Sequence, residues 1–179
     1  MFFLGVLVLV VSCAQKDDAA SIAEIVKQAV SLAEAHDIGG MFKLTTEDFA
    51  AHPGKLDRRE TKRILFMAFQ HYGEFKVFYP RPGVEVKQDR RTASALFPFL
   101  IAKEEASLPG LKDLYEDPKG WLEAVGENVD LYRLKLKFTR DGKDWVVHEA
   151  LIERFTGVSF SQDGSRETLD MASEKYTTK

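Results

Sequence analysis

The stretch LYRLKLKFTRDGKDWVVHEALIERF, Leu131 to Phe155, decides the fold. On both sides of a polar break its apolar residues recur at every second position, the period of a half-buried strand. Leu131–Thr139 and Trp145–Phe155 are predicted strands, and Arg140-Asp141-Gly142-Lys143 is the hairpin turn between them. Two registers are open. If Asp141-Gly142 is a two-residue loop, Phe138 pairs with Trp145, Leu136 with Val147 and Leu134 with Glu149. Glu149 is then the one acid on an apolar inner face, where burial raises a carboxyl pKa and suits it to general acid–base work. If the loop has three residues with Gly142 in a bulge, Leu136 faces His148, and Glu149 faces Lys135 on the outside. His148 is then the inner polar group and Glu149 an ordinary cross-strand ion-pair partner. Type I loops with a bulged Gly in third place are common, which favours the second register.

Working outward, the same period of two marks Phe75–Tyr79, Val84–Lys87 and Arg91–Ala102 as strands, with Pro80-Arg81-Pro82-Gly83 breaking the first from the second. Pro98 inside the long strand implies a bulge or an unpaired edge there. Earlier in the chain the period is helical. Ile22, Ile25, Val26, Ala29 and Ala33 place an amphipathic helix over Ala20–His36, ended by Gly39-Gly40. His36, near its apolar face, reads as a cap or a satisfied core histidine. Thr45–Asp48 is predicted as a short helical turn ending at Phe49. Asp57 and Glu60 have capping-box spacing, ahead of Ile64, Leu65, Phe66, Met67, Ala68, Phe69 and Tyr72. That helix is apolar around most of its circumference and is expected to be deeply buried. Between the long strands, Glu104–Gly126 is an excursion with its own helix start at Asp117-Pro118 and an apolar side at Trp121, Leu122 and Val125. It reads either as a lid or as a surface ornament. Helices first and antiparallel strands after make an α+β fold, a strongly curved sheet wrapped on N-terminal helices.

The chain has 179 residues, 45% of them hydrophobic, with a net charge of -3 and one Cys. That is enough for one domain with a core and excludes a disordered chain. The near-balanced charge gives no nucleic-acid footprint, and one Cys excludes an internal disulfide. His36, His52, His71 and His148 are scattered without HxH or HExxH spacing, so no metal site is expected, and no P-loop, GxSxG or dinucleotide motif suggests a cofactor.

Residues 1–12, MFFLGVLVLVVS, are apolar and uncharged, too short to span a bilayer and of signal-peptide length. Val10-Val11-Ser12-Cys13 resembles a bacterial lipobox. The resemblance implies cleavage before Cys13, lipid attachment on its sulfur, and a polar tether over 13–19. Ala14 after the Cys lacks the inner-membrane Asp signal, which favours the outer membrane facing the periplasm. Residues 159–179 read as a polar tail with a short helix around Glu167–Glu174.

The helix from Ala20, the turn at Asp48-Phe49 and His52-Pro53-Gly54, the helix Glu60–Tyr72 and the closing hairpin together resemble the nuclear transport factor 2-like superfamily, over residues 20–158 with the insertion at 104–126. The resemblance implies a cone-shaped α+β fold, an apolar pocket inside the cone, frequent homodimers, and functions from isomerases and dehydratases to inert binding modules. Its pocket-lining candidates here are Tyr79, Phe97, Phe99, Trp121, Tyr132 and Trp145. His148 and Glu149 are the candidates for proton transfer, but a catalytic group needs partners and no second one is evident. The expectation is a non-catalytic envelope lipoprotein binding an apolar small molecule or another protein. The alternative is an isomerase, dehydratase or cyclase using an inward His148 or Glu149.

Overall fold

The structure, a computed structural model, describes residues 10–103, 117–125, 129–155 and 160–161. Helix α1 (Val10–Glu34) is followed by α2 (Ile38–Lys43), strand β1 (Thr45–His52), α3 (Arg58–Tyr72), β2 (Phe75–Phe78), β3 (Gly83–Val86), β4 (Thr92–Lys103), α4 (Pro118–Val125), β5 (Val129–Asp141), β6 (Asp144–Phe155) and β7 (Phe160–Ser161). The strands form one curved, unclosed sheet in the order β1-β6-β5-β4-β2, with β3 beside β2 on β4 and β7 on β6. All pairs are antiparallel except β1 with β6.

Several predicted elements fall differently. Helix α1 starts at Val10 rather than Ala20, so it runs through the segment read as a tether. The Gly39-Gly40 pair does not end a helix but lies within α2, whose N-cap Asp37 accepts a hydrogen bond from Gly40 N at 2.7 Å. A Cβ on Gly40 would stand 2.7 Å from Leu32 Cδ2 and would push that side chain aside, so glycine eases the close packing of α2 on α1. Thr45–Asp48 is extended, not helical, because β1 finds a partner in β6. Tertiary pairing outweighs the local turn propensity, and the β-branched Thr45 and Thr46 suit it. Pro98 sits where β4 has no neighbour on the β2/β3 side, between Leu96 paired to β3 and Leu100 paired to β2, so its missing N–H costs no ladder bond.

Helix α3 carries its capping box, with Asp57 accepting from Glu60 N and Glu60 accepting from Asp57 N. It is not deeply buried, however. Phe69 is its one buried residue, while Phe66 and Met67 are exposed. The sheet and the neighbouring helices cover a single stripe of α3, and no described element packs on the opposite stripe.

The main core fills the inner face. Ile22 and Val26 of α1, Phe42, Phe49, Ala93, Ala95, Phe97, Leu136, Phe138, Trp145 and Val147 are all buried together. A second cluster of Leu100, Ala102, Trp121, Val129 and Leu131 lies on the outer face, since Leu100–Leu131 neighbours the inner pair Phe99–Tyr132 along the ladder. Among the described residues no helix is long and apolar enough to cross a membrane.

Candidate functional site

The inner face of β5 reads Asp130, Tyr132, Leu134, Leu136, Phe138. Its last two residues belong to the packed core, and its first two are polar. Opposite Tyr132 stands Phe99 on one side and Arg154 on the other. Phe99 stacks on the Tyr132 ring, centroids 5.3 Å apart. Tyr72, at the end of α3, reaches in and donates its hydroxyl proton to Asp130 Oδ2 at 2.6 Å. Its oxygen also lies 2.9 Å from Tyr132 Oη. Because the Tyr72 proton is committed to Asp130, Tyr132 donates to Tyr72, and the chain runs Tyr132 to Tyr72 to carboxylate. Arg154 Nη2 binds the other oxygen, Oδ1, at 2.7 Å.

Burial pushes the Tyr72 phenol far above its ordinary value, aided by Tyr132 and by the negative charge and hydrogen bond of Asp130. Burial raises Tyr132 too, with Asp130 adding to it. Both phenols are therefore neutral donors. Both carboxylate oxygens of Asp130 are thus engaged, one by a guanidinium and one by a phenol, an arrangement that suits structural pinning or polar recognition.

The hairpin adopts neither predicted register. Gly142 and Lys143 form the turn between the paired Asp141 and Asp144, with Gly142 at φ 61, as a Gly-first turn requires. Phe138 then pairs with Val147, and a bulge follows, so that Lys137 pairs with Glu149 and Leu136 with Ala150. His148 is the extra residue of the bulge, within electrostatic reach of Asp48 and Glu149. Glu149 is on the outer face, 2.6 Å from Lys137 Nζ and 3.7 Å from His52 Nε2. The Lys137 hydrogen bond holds its carboxyl below the usual range.

Of the pocket candidates, Phe97 and Trp145 are core residues, Tyr79 packs on Phe97 at 5.7 Å, and Phe99 and Tyr132 stack beside the polar group. Trp121 is placed apart from them, on the outer cluster, so α4 is no lid over the cone. The rest of the 104–126 excursion lies outside the described residues. Tyr72, Asp130 and Arg154 were missed. Asp130 and Arg154 were legible as the inward continuation of the β5 and β6 alternation, whereas Tyr72 reaches them only through tertiary packing.

A second carboxylate, this one buried, lies at the other end of β5. Asp18, 5% exposed, is bound by Arg140 Nη2, by Arg90 Nη2 at 3.0 Å and by Trp145 Nε1 at 3.3 Å. Burial opposes its charge, but hydrogen bonds from Arg90 and Trp145 and the charges of Arg140 and Arg90 outweigh that, holding its pKa below the ordinary value. Elsewhere, His36 stacks on Phe69 at 5.0 Å and Phe75 at 5.3 Å, with Nε2 buried and unbonded by any described group. Among the described residues no cluster of His, Cys, Asp and Glu could hold a metal ion.

No family model and no curated protein matches this chain. Solved structures do. An NTF2-like protein with a cystatin-like fold from Novosphingobium aromaticivorans is 15% identical, with a TM-score of 0.61 over 90% of this chain and 94% of that one. A hexachlorocyclohexane dehydrochlorinase from Novosphingobium barchaimii is 8% identical, with a TM-score of 0.59 over 84% of this chain and 92% of that one. Bd1075 from Bdellovibrio bacteriovorus is 12% identical, with a TM-score of 0.55 over 75% of this chain, which spans 40% of that protein. The domain therefore has the nuclear transport factor 2-like, cystatin-like fold. That fold serves enzymes and proteins of unknown function alike, and by itself selects no activity.

Proposed function

We propose that the chain is a non-catalytic lipoprotein of the bacterial envelope, anchored through Cys13, whose cone-shaped domain binds another protein rather than enclosing a small molecule. The observation that carries this reading is the apolar core on the inner face of the sheet, where Ile22, Val26, Phe97, Phe138 and Trp145 are buried together. The enzyme reading draws no support from His148 or Glu149, since Glu149 is an ion-pair partner of Lys137 outside the cone. Asp130, which does face inward, is engaged by Arg154 and Tyr72.

The lipobox resemblance at Val10–Cys13 supplies the anchor, and the outer membrane facing the periplasm is the location it favours. Native mass spectrometry of the full chain, purified gently from membranes, tests both parts. The expected species starts at Cys13, carries the mass of a lipid that Cys13→Ser abolishes, and retains no small molecule. A stoichiometric small-molecule ligand, or a turnover lost in His148→Ala or Glu149→Gln, overturns the reading.

A further inference from the structure

The outward stripe of α3 is apolar and basic, and no described element covers it. Phe66 is 58% and Met67 40% exposed. With Ile38 they line a shallow hollow whose remaining walls are Arg59, Lys62 and Arg63. None of these three cations has a carboxylate partner among the described residues. Glu60, the acid on the same turn, is engaged by the Asp57 N–H in the capping box. The Lys62 ammonium lies over the Phe42 ring, 5.0 Å from its centroid, a cation–π contact that satisfies no countercharge.

A Phe and a Met side by side make an adaptable apolar surface, and unpaired cations around them select negative charge. A second copy on the same face would set Arg59, Lys62 and Arg63 against themselves across a two-fold axis, which is repulsive. The position in the fold bears on the remaining choice. The helical rise from Cys13 to Glu34 along α1 is about 30 Å, and Ile38 follows that far end. The hollow is thus at the end of α1 away from Cys13. We propose that this face of α3 docks an acidic amphipathic segment of another envelope protein, with apolar side chains on Phe66 and Met67 and carboxylates on Arg59, Lys62 and Arg63. The proposal deepens the reading of the domain as a protein-binding lipoprotein and rests on it.

The test uses the full chain in nanodiscs of phosphatidylcholine and two labelled helical peptides. Both carry Leu and Phe on one face. One is flanked by Glu, the other by Lys at the same positions. Fluorescence anisotropy should show the Glu peptide binding at least about tenfold more tightly, and weakening as salt rises from about 50 to about 300 mM. Arg59→Glu with Arg63→Glu should reverse the preference, a change that loss of folding cannot produce. Phe66→Ser should weaken both peptides.

Equal binding of the two peptides, or none, overturns the proposal. So does dimerisation of the free chain that Phe66→Ser abolishes. So does tight Glu-peptide binding that appears only in a chain ending at Ser161, since the chain's own C-terminal segment would then be the occupant. Preference for phosphatidylglycerol vesicles over the peptide would make the partner a lipid surface and overturn it as well. Failure of the chain to enter nanodiscs would count against the anchor alone, because peptide binding is still readable in solution.

Discussion

Strand β5 meets an acid cluster at each of its ends, half-buried at its start and buried at its finish, and the two differ in kind. At its start, Asp130 and Tyr132 are on the strand itself and meet Arg154 across the ladder and Tyr72 from α3. At its finish, Arg140 and the facing Trp145 hold Asp18, which comes from the opening helix, and Arg90 comes from the turn before β4. The first cluster is open enough for two neutral phenols to be aligned by one carboxylate. The second is a closed clamp that ties the N-terminal helix to two hairpin turns. Between them lies a mainly apolar core that includes Phe138 and Trp145. The contrast teaches that charged groups tie the elements together at both ends of β5, while burial of apolar side chains holds the middle.

The largest effect should come from the middle. Phe138→Ala empties the site of a side chain that is 0% exposed and should cost about 3–5 kcal/mol in chemical denaturation. A loss below about 1 kcal/mol would mean that the centre of the cone is not the tight core described here.

The clamp comes next. Asp18→Asn keeps the shape of the side chain and removes its charge, and should cost about 1–3 kcal/mol at neutral pH, Arg90 and Arg140 being partly solvated. The sign of its pH dependence follows from the lowered pKa. The charged Asp18 stabilises the fold fully above the unfolded-state value, about 3.9, and that contribution is lost as pH falls through the lower folded-state value. The stability gap between wild type and Asp18→Asn should therefore be constant from neutrality down to about pH 5 and shrink below about pH 4. A gap that does not change with pH would mean that Asp18 acts by packing and not by charge.

The open cluster should show the smallest effect and the opposite pH sign. Tyr72→Phe removes one hydrogen bond to a charged acceptor and should cost about 1–2 kcal/mol. The Tyr72 phenol is raised above its ordinary 10.0, so its contribution is present below about pH 10 and is lost as pH rises beyond that point. Spectrophotometric titration should show Tyr72 and Tyr132 ionising only as the protein unfolds. Ionisation of all tyrosines together near the ordinary value, with the fold intact, would mean that the pair is open to water and the cluster is a solvated site.

Much of this molecule is written locally. The alternation in β4, β5 and β6, the capping box at Asp57 and the helical face of Ile22 and Val26 each encode their own element, because backbone geometry forces periods of two and 3.6 on whatever is buried. The α+β class follows from those periods and their order, and the nuclear transport factor 2-like fold was what the resemblance of those stretches implied. The extended state of Thr45–Asp48 was not legible, since it depends on a β6 neighbour nearly a hundred residues away. Nor was the hairpin register, which a single glycine turn and one bulged residue decide between nearly equal alternatives.

The site divides in the same way. The inward place of Tyr132 follows from strand parity, and Phe97, Phe99 and Trp145 were recognisable as apolar. That Trp121 packs on the outer face, that Tyr72 reaches Asp130, and that Asp18 is clamped by Arg90 and Arg140 depend on where separate elements dock. The exposure of Phe66 and Met67 belongs here as well: their helix carries apolar residues on more than one face, and only the layers laid against it determine which stripe is buried. The sequence by itself determined which segments become helix or strand over most of the chain and what faces they carry, because those choices rest on short-range geometry. The tertiary structure alone decided which of those faces meet, whether the cone is hollow or filled, and which charges are paired, because these are long-range contacts whose free energy exists only once the elements have packed.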